Sequence, residues 1–422
     1  MGGILVDLAP IRRDRDYRLL WAGQVVSGIG NNVTRIALPY QVYVLTHSAV
    51  AIGVLTAVQL VPILAFSLGG GAIADAVDRR RLLLITAVGL ALTSLVLVAL
   101  SLVPSPPLAA IYAVAFVAAS LGAVDQPARS SAVPRLVPAE RLPAAIALNQ
   151  LNFQTAAVIG PAIGGIVIAV AGLPAAYGLD VLSFGAAVAS LVGIAPLPPL
   201  GEVARPGIAA VREGLRFAMD RRVILSTFAI DLDAMIFGMP TSLFPILALD
   251  TFHAGAEGVG LLAAAPAAGA FLGALLSGWV SRVRRTGRAV AVAVAMWGLA
   301  ITGFGLATFS LPLAVVLLGL AGAADVLSAV FRGTIVQLET PDALRGRVTA
   351  LHLLVVTSGP RLGDLEAAGV ASVVGAQASV VSGGLLCIAG ILVVVRRFPE
   401  LLAHVSRAVP ERAGAPSAAA SP

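Results

Sequence analysis

The chain has 422 residues, of which 58% are hydrophobic and only 12% are charged, and its mean hydropathy is +0.95. Soluble globular domains carry about 25% charged residues, so this composition excludes an ordinary soluble protein. The net charge of +6 comes from arginines in short segments between long apolar ones, which argues against a nucleic-acid partner. Apolar stretches of about 20 residues recur, enough to cross about 30 Å of hydrocarbon, and alternating strand patterns are absent. The composition therefore predicts an all-α membrane protein embedded in a lipid bilayer.

Several kinds of site are excluded by the residues that the chain lacks. All 28 basic residues are arginine, so a Walker A phosphate site, which needs lysine, cannot be present. Cys387 is the only cysteine, which rules out an intrachain disulfide. His47, His253 and His352 show no metal-ligand spacing, and no set of hydrolase residues can be read from the sequence. We therefore expect no metal, no cofactor and no enzyme activity. Residues 1–18 lack an apolar core followed by a cleavage site, so we expect no signal peptide.

Apolar segments follow one another along nearly the whole chain. We read about twelve membrane spans, with ends accurate to a few residues. They cover residues 18–45, 51–75, 82–103, 107–132, 143–171, 174–196, 222–249, 256–281, 289–308, 312–336, 348–374 and 378–396.

Arginines mark one side of these spans. They lie before the first span, after the last and in every second connection: Arg12 to Arg18, Arg79 to Arg81, Arg135 and Arg141, Arg205 to Arg222, Arg282 to Arg288, Arg345 and Arg347, and Arg396 and Arg397. The alternate connections, 46–50, 104–106, 172–173, 251–255, 310–311 and 375–377, contain none. Because positive residues are enriched in cytoplasmic loops, both termini are expected in the cytoplasm.

The longest connection divides the chain into two halves of six spans each. We predict an N-terminal bundle over residues 1–196, a cytoplasmic linker over 197–221, a C-terminal bundle over 222–398 and a disordered tail over 399–422, which is rich in Ala, Pro and Ser. The halves resemble each other: Arg129 and Arg332 are 203 positions apart, as are Pro138 and Pro341. Related halves are typical of transporters whose site lies between them near mid-membrane.

The connection after the second span carries a recognisable motif. Gly71, Asp75, Arg79 and Arg80 resemble the loop signature of the major facilitator superfamily, glycine-x3-Asp-Arg-x-Gly-Arg-Arg/Lys. Ala76 stands where the family has a basic residue and Asp78 where it has glycine, and residues 278–285 form a weaker copy without the acid. The resemblance implies two bundles that rock about a central site. Asp75 is then expected near the positive N-terminal end of a facing helix, where it would hold the inner gate shut.

A second motif lies in the fifth span. Gly160, Pro161, Gly164 and Gly165 are similar to the antiporter motif of the same superfamily, in the branch that exports drugs by proton exchange. Glycines four apart let a neighbouring helix approach closely, and proline permits a bend. An ordinary packing face would give the same pattern. Residues 34–43, 125–129 and 345–348 also resemble a branch that includes siderophore exporters and macrolide and tetracycline efflux pumps.

Charged residues inside the spans cost about 2.5–3.5 kcal/mol each at a helix centre, so they indicate function or pairing. The spans that line the central cavity in the superfamily are the first, fourth, seventh and tenth, and they hold Arg35, Asp125, Arg129, Asp231, Asp233, Asp325 and Arg332. Two simpler interpretations stay open. Arg129 and Arg332 would merely mark the inner membrane surface, and Asp125 would pair with Arg79 as a gate latch.

The eleventh span is the most polar. Arg361, Asp364 and Glu366 follow Gly359 and Pro360, which weaken the helix as in the interrupted helices of other transporters. Arg361 and Asp364 share a helix face, so a structural ion pair is one interpretation. The other is that a surplus acid carries the proton, either Asp364 or Glu366, with Asp231 and Asp233 as further candidates.

These observations predict a secondary active transporter that exports an amphipathic small molecule, a drug or a siderophore, by alternating access. The proton gradient would supply the driving force, and we expect a monomer in the inner (plasma) membrane. An uptake permease of the same fold is the alternative, against which the motif at Gly160–Gly165 argues. A membrane sensor is a third possibility, but no connection is long enough for an output domain.

Overall fold

The computed structural model describes residues 7–198 and 215–405, apart from the side chains of residues 67–76, 281, 342–343, 345–346, 349–350 and 353–354. Nearly all of this part of the chain is helical. The long helices are numbered in chain order: α1 Arg15–Thr46, α2 Ala49–Ala76, α3 Arg79–Ser101, α4 Leu108–Leu136, α5 142–171, α6 173–192, α7 Arg222–Phe237, α8 Gly255–Leu275, α9 Thr286–Leu306, α10 Leu311–Glu339, α11 Asp342–Val374 and α12 Ala376–Arg397. Helices α5 and α6 form one stretch, Leu142–Val192, which is broken at Gly172.

Nine helical stretches within the described residues are long and apolar enough to cross a membrane. The stretch Ala139–Val192 is one of them and has the length for two crossings. Helices α1 and α11 are not among the nine, because polar and charged side chains such as Arg35 and Arg361 lower their hydropathy. The helical membrane fold is therefore confirmed. The count of twelve spans and the cytoplasmic position of the termini stay predictions.

Tight turns connect the helices at one end of the molecule. All residues of the described ranges with positive φ lie there: His47, Gly172, His253, Gly255 and Gly375. Glycine adopts this conformation at little cost, so the chain can reverse within two or three residues. This is the end with the connections that contain no arginine, which the sequence places outside the cell.

The two halves meet along two pairs of helices. Helix α2 packs against α11, and the α5–α6 stretch packs against α8. One hydrophobic cluster includes residues of both halves, among them Val42 and Tyr43 of α1 and Phe244 and Leu247 after α7. Towards the arginine-rich end, the first half has its own cluster around Tyr17. The halves are thus joined at the end with the tight turns.

The tail differs from the prediction. It was expected to be disordered from residue 399, but Pro399–Ala403 form a short helix. Leu401 is fully buried and its carbonyl packs against Gly287 of α9, while Glu400 forms an ion pair of 2.6 Å with Arg222. One apolar contact and one ion pair therefore order the first turn. Residues 406–422 and most of the predicted linker lie outside the described ranges, and residues 215–220 of that linker are helical.

Candidate functional site

Helix α11 carries Arg361 and Asp364, and the structure gives them different partners. Arg361 Nη1 donates a hydrogen bond of 2.7 Å to Gln59 Oε1, which joins α11 to α2 of the other half. Asp364 Oδ1 accepts hydrogen bonds from Thr241 Oγ1 at 2.6 Å and from the Ser242 N–H at 2.7 Å. The interpretation of Arg361 and Asp364 as an ion pair is therefore wrong, because each charge has a nearer partner on another helix.

The helix is interrupted after α7, and residues of this break donate the hydrogen bonds to the Asp364 carboxylate. The turn Thr241–Leu243 follows the end of α7 and is a short 3₁₀ helix. Trp297 Nε1 donates a hydrogen bond of 3.0 Å to the Gly238 carbonyl, which lies in this break and would otherwise lack a partner. Gly363 lets α11 come close to α7, since a Cβ there would lie 2.2 Å from the Met235 carbonyl oxygen. The glycine and the break together bring a buried acid against backbone and hydroxyl donors.

Two candidate acids have no basic partner among the residues that the structure describes. Glu366 is half-buried on α11 and makes no hydrogen bond or ion pair with a described residue. Asp233 is half-buried on α7, and its Oδ2 atom is buried without a hydrogen bond to a described residue. Its other oxygen packs against Gly390 of α12, where a Cβ would lie 1.8 Å away. Neither carboxylate is committed to an ion pair with a described residue.

The second half also contains a buried charge cluster. Arg332 Nη2 lies 2.8 Å from Asp231 Oδ1 and 3.8 Å from Asp325 Oδ1. Arg332 and Asp231 are 2% and 0% exposed, so the protein encloses both charges. His352 of α11 stacks on Phe228, with 5.9 Å between ring centroids, and interacts electrostatically with Asp231 and Arg332. Two acids therefore share one arginine, and His352, which the sequence analysis considered only as a metal ligand, lies beside them.

Other buried donors and acceptors in this cluster have no hydrogen bond to any described residue: Arg332 Nε, Arg332 Nη1, Ser328 Oγ and His352 Nδ1.

The corresponding charges of the first half, Asp125 and Arg129, form an ion pair with each other. Asp125 forms an ion pair with Arg129, one helical turn further along α4, and accepts a hydrogen bond of 2.7 Å from Thr86 Oγ1. Arg79 instead donates a hydrogen bond of 2.9 Å to Ser131 Oγ. The predicted pairing of Asp125 with Arg79 is therefore wrong, because Arg129 on the same helix is closer. Arg129 is buried, so its charge is enclosed by the protein beside Asp125.

The described residues of the loop signature stabilise the start of α3 and its contact with α6. Asp78 begins α3, and its Oδ1 accepts a hydrogen bond of 2.9 Å from the Arg81 N–H. Arg80 donates two hydrogen bonds, at 3.0 and 2.8 Å, to carbonyl oxygens at the end of α6. The loop is thus tied to α6 of its own half. The side chains of Gly71 and Asp75 lie outside the described residues, so the role of Asp75 at the gate stays a prediction.

The glycine motif of α5 packs on two sides. Gly160 and Gly164 face α1, where an added Cβ would lie 2.4 and 2.9 Å from side-chain atoms. Gly165 faces α8 of the other half, where its Cβ would lie 3.0 Å from Gly260 Cα. A Cβ on Gly260 would in turn lie 2.6 Å from the Pro161 carbonyl oxygen. The motif is therefore a contact between the two halves as well as a packing face.

A further contact between the halves was not predicted. The Tyr43 hydroxyl of α1 donates a short hydrogen bond to Asp250 Oδ2. Asp250 lies in a π-helical turn, Leu247–Thr251, and such turns are frequent at functional sites. Tyr43 also contacts the ring of His47, with 5.6 Å between centroids. Both the α5–α8 contact and this bond lie at the end with the tight turns.

Arg35, like Glu366, is a candidate without a bond to the part of the chain that the structure describes. Its side chain is exposed and makes no hydrogen bond or ion pair with a described residue. It lies close enough to α11 for its charge to act on Arg361 and Asp364. The charges of Arg35, Arg361 and Asp364 therefore interact across the interface between the halves.

The first half holds a buried acid that the sequence analysis missed. Asp180 of α6 is 1% exposed and accepts hydrogen bonds of 2.7 Å from both Thr34 Oγ1 and Ser94 Oγ, and one of 3.2 Å from Ser183 Oγ. Gly30 makes room for it, since a Cβ there would lie 2.1 Å from Ser183 Oγ. The signal that could have found it is a lone aspartate inside a predicted span. Its three donors lie on three different helices and have no common motif.

Comparisons with known proteins agree with this architecture. Residues 6–414 match the family model described as transmembrane secretion effector. The enterobactin exporter EntS of Citrobacter koseri (strain ATCC BAA-895 / CDC 4225-83 / SGSC4696) is 28% identical over 408 residues, covering 94% of this chain and 96% of the relative. EntS of Shigella boydii serotype 18 (strain CDC 3083-94 / BS512) is also 28% identical, with the same coverage.

Solved structures share the fold at low sequence identity. A POT family transporter in complex with 5-aminolevulinic acid is similar with a TM-score of 0.74 and 14% identity, over 92% of this chain and 97% of that one. A bacterial homologue of the human lysosomal transporter Spinster, in an inward-facing and unoccupied conformation, has a TM-score of 0.71 and 14% identity, over 94% and 100%.

The resemblance inferred from the two motifs is therefore confirmed. The family model covers nearly the whole chain, and its members are multi-pass membrane transporters, which act on small molecules and are not enzymes. This chain belongs to the transmembrane secretion effector family of the major facilitator superfamily.

Proposed function

We propose that this protein exports an amphipathic small molecule, a siderophore or a drug, across the inner (plasma) membrane in exchange for protons. The relatives named as enterobactin exporters, which match over 94% of the chain, support export and favour a siderophore. A single chain is sufficient for this activity, because the pathway lies between its own two halves.

The observation that carries proton coupling is the presence of acids without a basic partner beside the interface. Asp364 is held by donors of the turn after α7, whereas Glu366 and Asp233 are half-buried and uncommitted. Neither carboxylate forms an ion pair with a described residue that protonation would have to break. Protonation from outside would discharge the acid, and release of that proton inside would reset the transporter. We assign the proton step to Glu366 or Asp233.

The joined end of the molecule supports alternating access. The contacts at Tyr43, Gly165 and Gln59 close one end between the halves, and the same helix pairs can separate when the other end closes. Cargo would then enter from the cytoplasm and leave outside.

The activity is tested in a bacterial host that makes a siderophore but lacks its exporter. Expression of this protein should restore release of the siderophore into the medium. If release is not restored but sensitivity to amphipathic drugs falls, the cargo is a drug. If neither changes although the protein is inserted, export is the wrong function.

The proton step is tested in inverted vesicles with an imposed pH gradient. Glu366→Gln or Asp233→Asn should lower proton-driven transport at least about tenfold while insertion is unchanged, because an amide cannot exchange a proton. Asp364→Asn is measured beside them, because this acid is the other candidate on α11. Glu257→Gln changes an exposed acid at the start of α8 and serves as the control. If all three pathway variants transport like the wild type, the assignment of the proton site is wrong.

A further inference from the structure

Two arginines from opposite halves lie at similar depth, Arg35 being 11 residues and Arg361 13 residues from the ends of their helices at the tight turns, Thr46 and Val374. Arg35 of α1 is exposed, and its charge acts on Arg361 of α11 across the interface. Like charges repel, and the repulsion grows as the surroundings become less polar. This arrangement therefore favours a negative charge between the two guanidinium groups.

The two side chains keep most of their hydrogen-bonding capacity. A guanidinium group has five N–H donors in a fixed planar arrangement. Arg361 uses one of them on Gln59, which fixes the position of its head group against α2. Arg35 uses none on a described residue. Unused, oriented donors on both sides of the interface are suited to a ligand with several acceptor oxygens.

The nearby acid does not neutralise both arginines. Asp364 is the carboxylate that acts on Arg361 and Arg35, and its Oδ1 atom is already bonded to Thr241 and Ser242. It forms no ion pair with either arginine within the described residues. Two positive charges and one negative charge leave this part of the interface positive. A cationic ligand would be repelled there.

We infer that Arg35 and Arg361 bind an anionic group of the cargo, and that the cargo is an amphipathic organic anion. A planar carboxylate or an ionised phenol suits a guanidinium fork, which can donate two parallel hydrogen bonds to it. The apolar part of such a cargo would lie against the hydrophobic residues that the halves share. The inference rests on the proposed export function and specifies its substrate class.

Two dyes of the same ring system and opposite charge test this inference: fluorescein, an organic anion, and rhodamine 6G, a cation. Their binding to the purified full-length protein in lipid nanodiscs is measured by fluorescence anisotropy, without any gradient. Wild type should bind fluorescein at least about tenfold more tightly than rhodamine 6G. Arg35→Gln and Arg361→Gln should each weaken fluorescein binding about tenfold, the size expected for one charge-assisted hydrogen bond.

The controls separate a charge effect from misfolding. Arg35→Lys keeps the charge but loses the planar pair of donors, so its fluorescein affinity should lie between those of Arg35→Gln and the wild type. Arg288→Gln removes an exposed arginine at the start of α9 and should change nothing. Rhodamine 6G binding should be unchanged or tighter in the two pathway variants, which an unfolded variant could not show.

Three results would overturn the inference: tighter binding of rhodamine 6G by the wild type, equal weakening of both dyes by the variants, or binding of neither dye at high micromolar concentration. In the first case export of a cation would still be open. Binding of fluorescein through the two arginines without movement under a pH gradient would leave the inference standing and contradict the proposed coupling.

Discussion

Buried acids in this chain are stabilised in different ways, and the partner decides what each can do. Asp125 and Asp231 form ion pairs with arginines. Asp180 and Asp364 are held by hydroxyl groups and, for Asp364, a backbone N–H. A buried carboxylate satisfied in either way is mainly structural, because removing a partner leaves an unmet polar group. Only an acid outside these sets, such as Glu366, can change its protonation without disturbing the packing.

The cluster around Asp180 gives a prediction for stability. Gly30→Ala should place its Cβ 2.1 Å from Ser183 Oγ and displace the hydroxyl from Asp180. Overpacking of this kind costs about 1–3 kcal/mol, so the protein in detergent should unfold at a lower temperature. Gly185→Ala, on α6 with no atom near its Cβ position, is the control and should unfold like the wild type. Equal melting of the Gly30 variant and the wild type would contradict the assigned packing.

Arg332 of the second half gives a second prediction for stability. Arg332→Gln should destabilise the protein by about 3–5 kcal/mol, because Asp231 would be left buried and charged. Adding Asp231→Asn removes that charge and should recover part of the loss. The test is a double-mutant cycle on thermal unfolding in detergent. Additive effects of the two changes would show that the residues do not interact.

At the scale of helices, α5 works as a contact between the halves. Its glycines leave no space for a side chain against α1 or α8, so the backbone of α5 is close to both. On α11, Gly363 likewise leaves no space for a side chain and lets this helix pack closely against α7. Small residues thus let α5 pack closely against α1 and α8, and α11 against α7.

Gly165→Val should separate α5 from α8 and prevent this end from closing. We expect transport in vesicles to fall at least about tenfold, since a valine Cβ would lie 2.7 Å from the Ala256 carbonyl oxygen. Gly178→Val, on α6 with free space around it, controls for valine in a helix. Normal transport by the Gly165 variant would exclude a role of this contact in the cycle.

The loop after α2 gives a kinetic prediction. Asp75→Asn should lower turnover more than it alters the affinity for cargo, because a gate residue does not touch the cargo. Initial transport rates over a range of cargo concentrations separate kcat from KM. A change in KM alone would argue against a gating role.

At the scale of the whole molecule, the halves are joined at one end through α2–α11 and α5–α8. Gly53 of α2 faces Ala368 of α11, with 3.1 Å between the Cβ positions. Cysteines at these two positions, in a protein with Cys387→Ala, should form a disulfide under oxidation. That bond would hold the end closed and stop transport, and a reductant should restore it. Transport that continues with the disulfide formed would contradict alternating access, and either single cysteine is the control.

The sequence predicted the helices well because length and hydropathy decide them. It also located Gly160–Gly165 and the loop at Asp75, since spacing and charge make both motifs visible. The hydrogen-bond partners could not be predicted in this way. Arg361 and Asp364 share a helix face, but their partners Gln59 and Thr241 come from distant segments. Asp180 and Asp250 were missed for the same reason, as their hydrogen bonds depend on how separate helices pack.

The most direct test of the account measures transport and proton flow together. Inverted membrane vesicles that contain the protein are made acidic inside, and the siderophore retained by the exporter-deficient host is added outside. The account predicts that the vesicles accumulate the siderophore while their lumen becomes more alkaline, and that a protonophore stops both. Accumulation that continues unchanged with the protonophore present, or that occurs equally in vesicles lacking the protein, would contradict it.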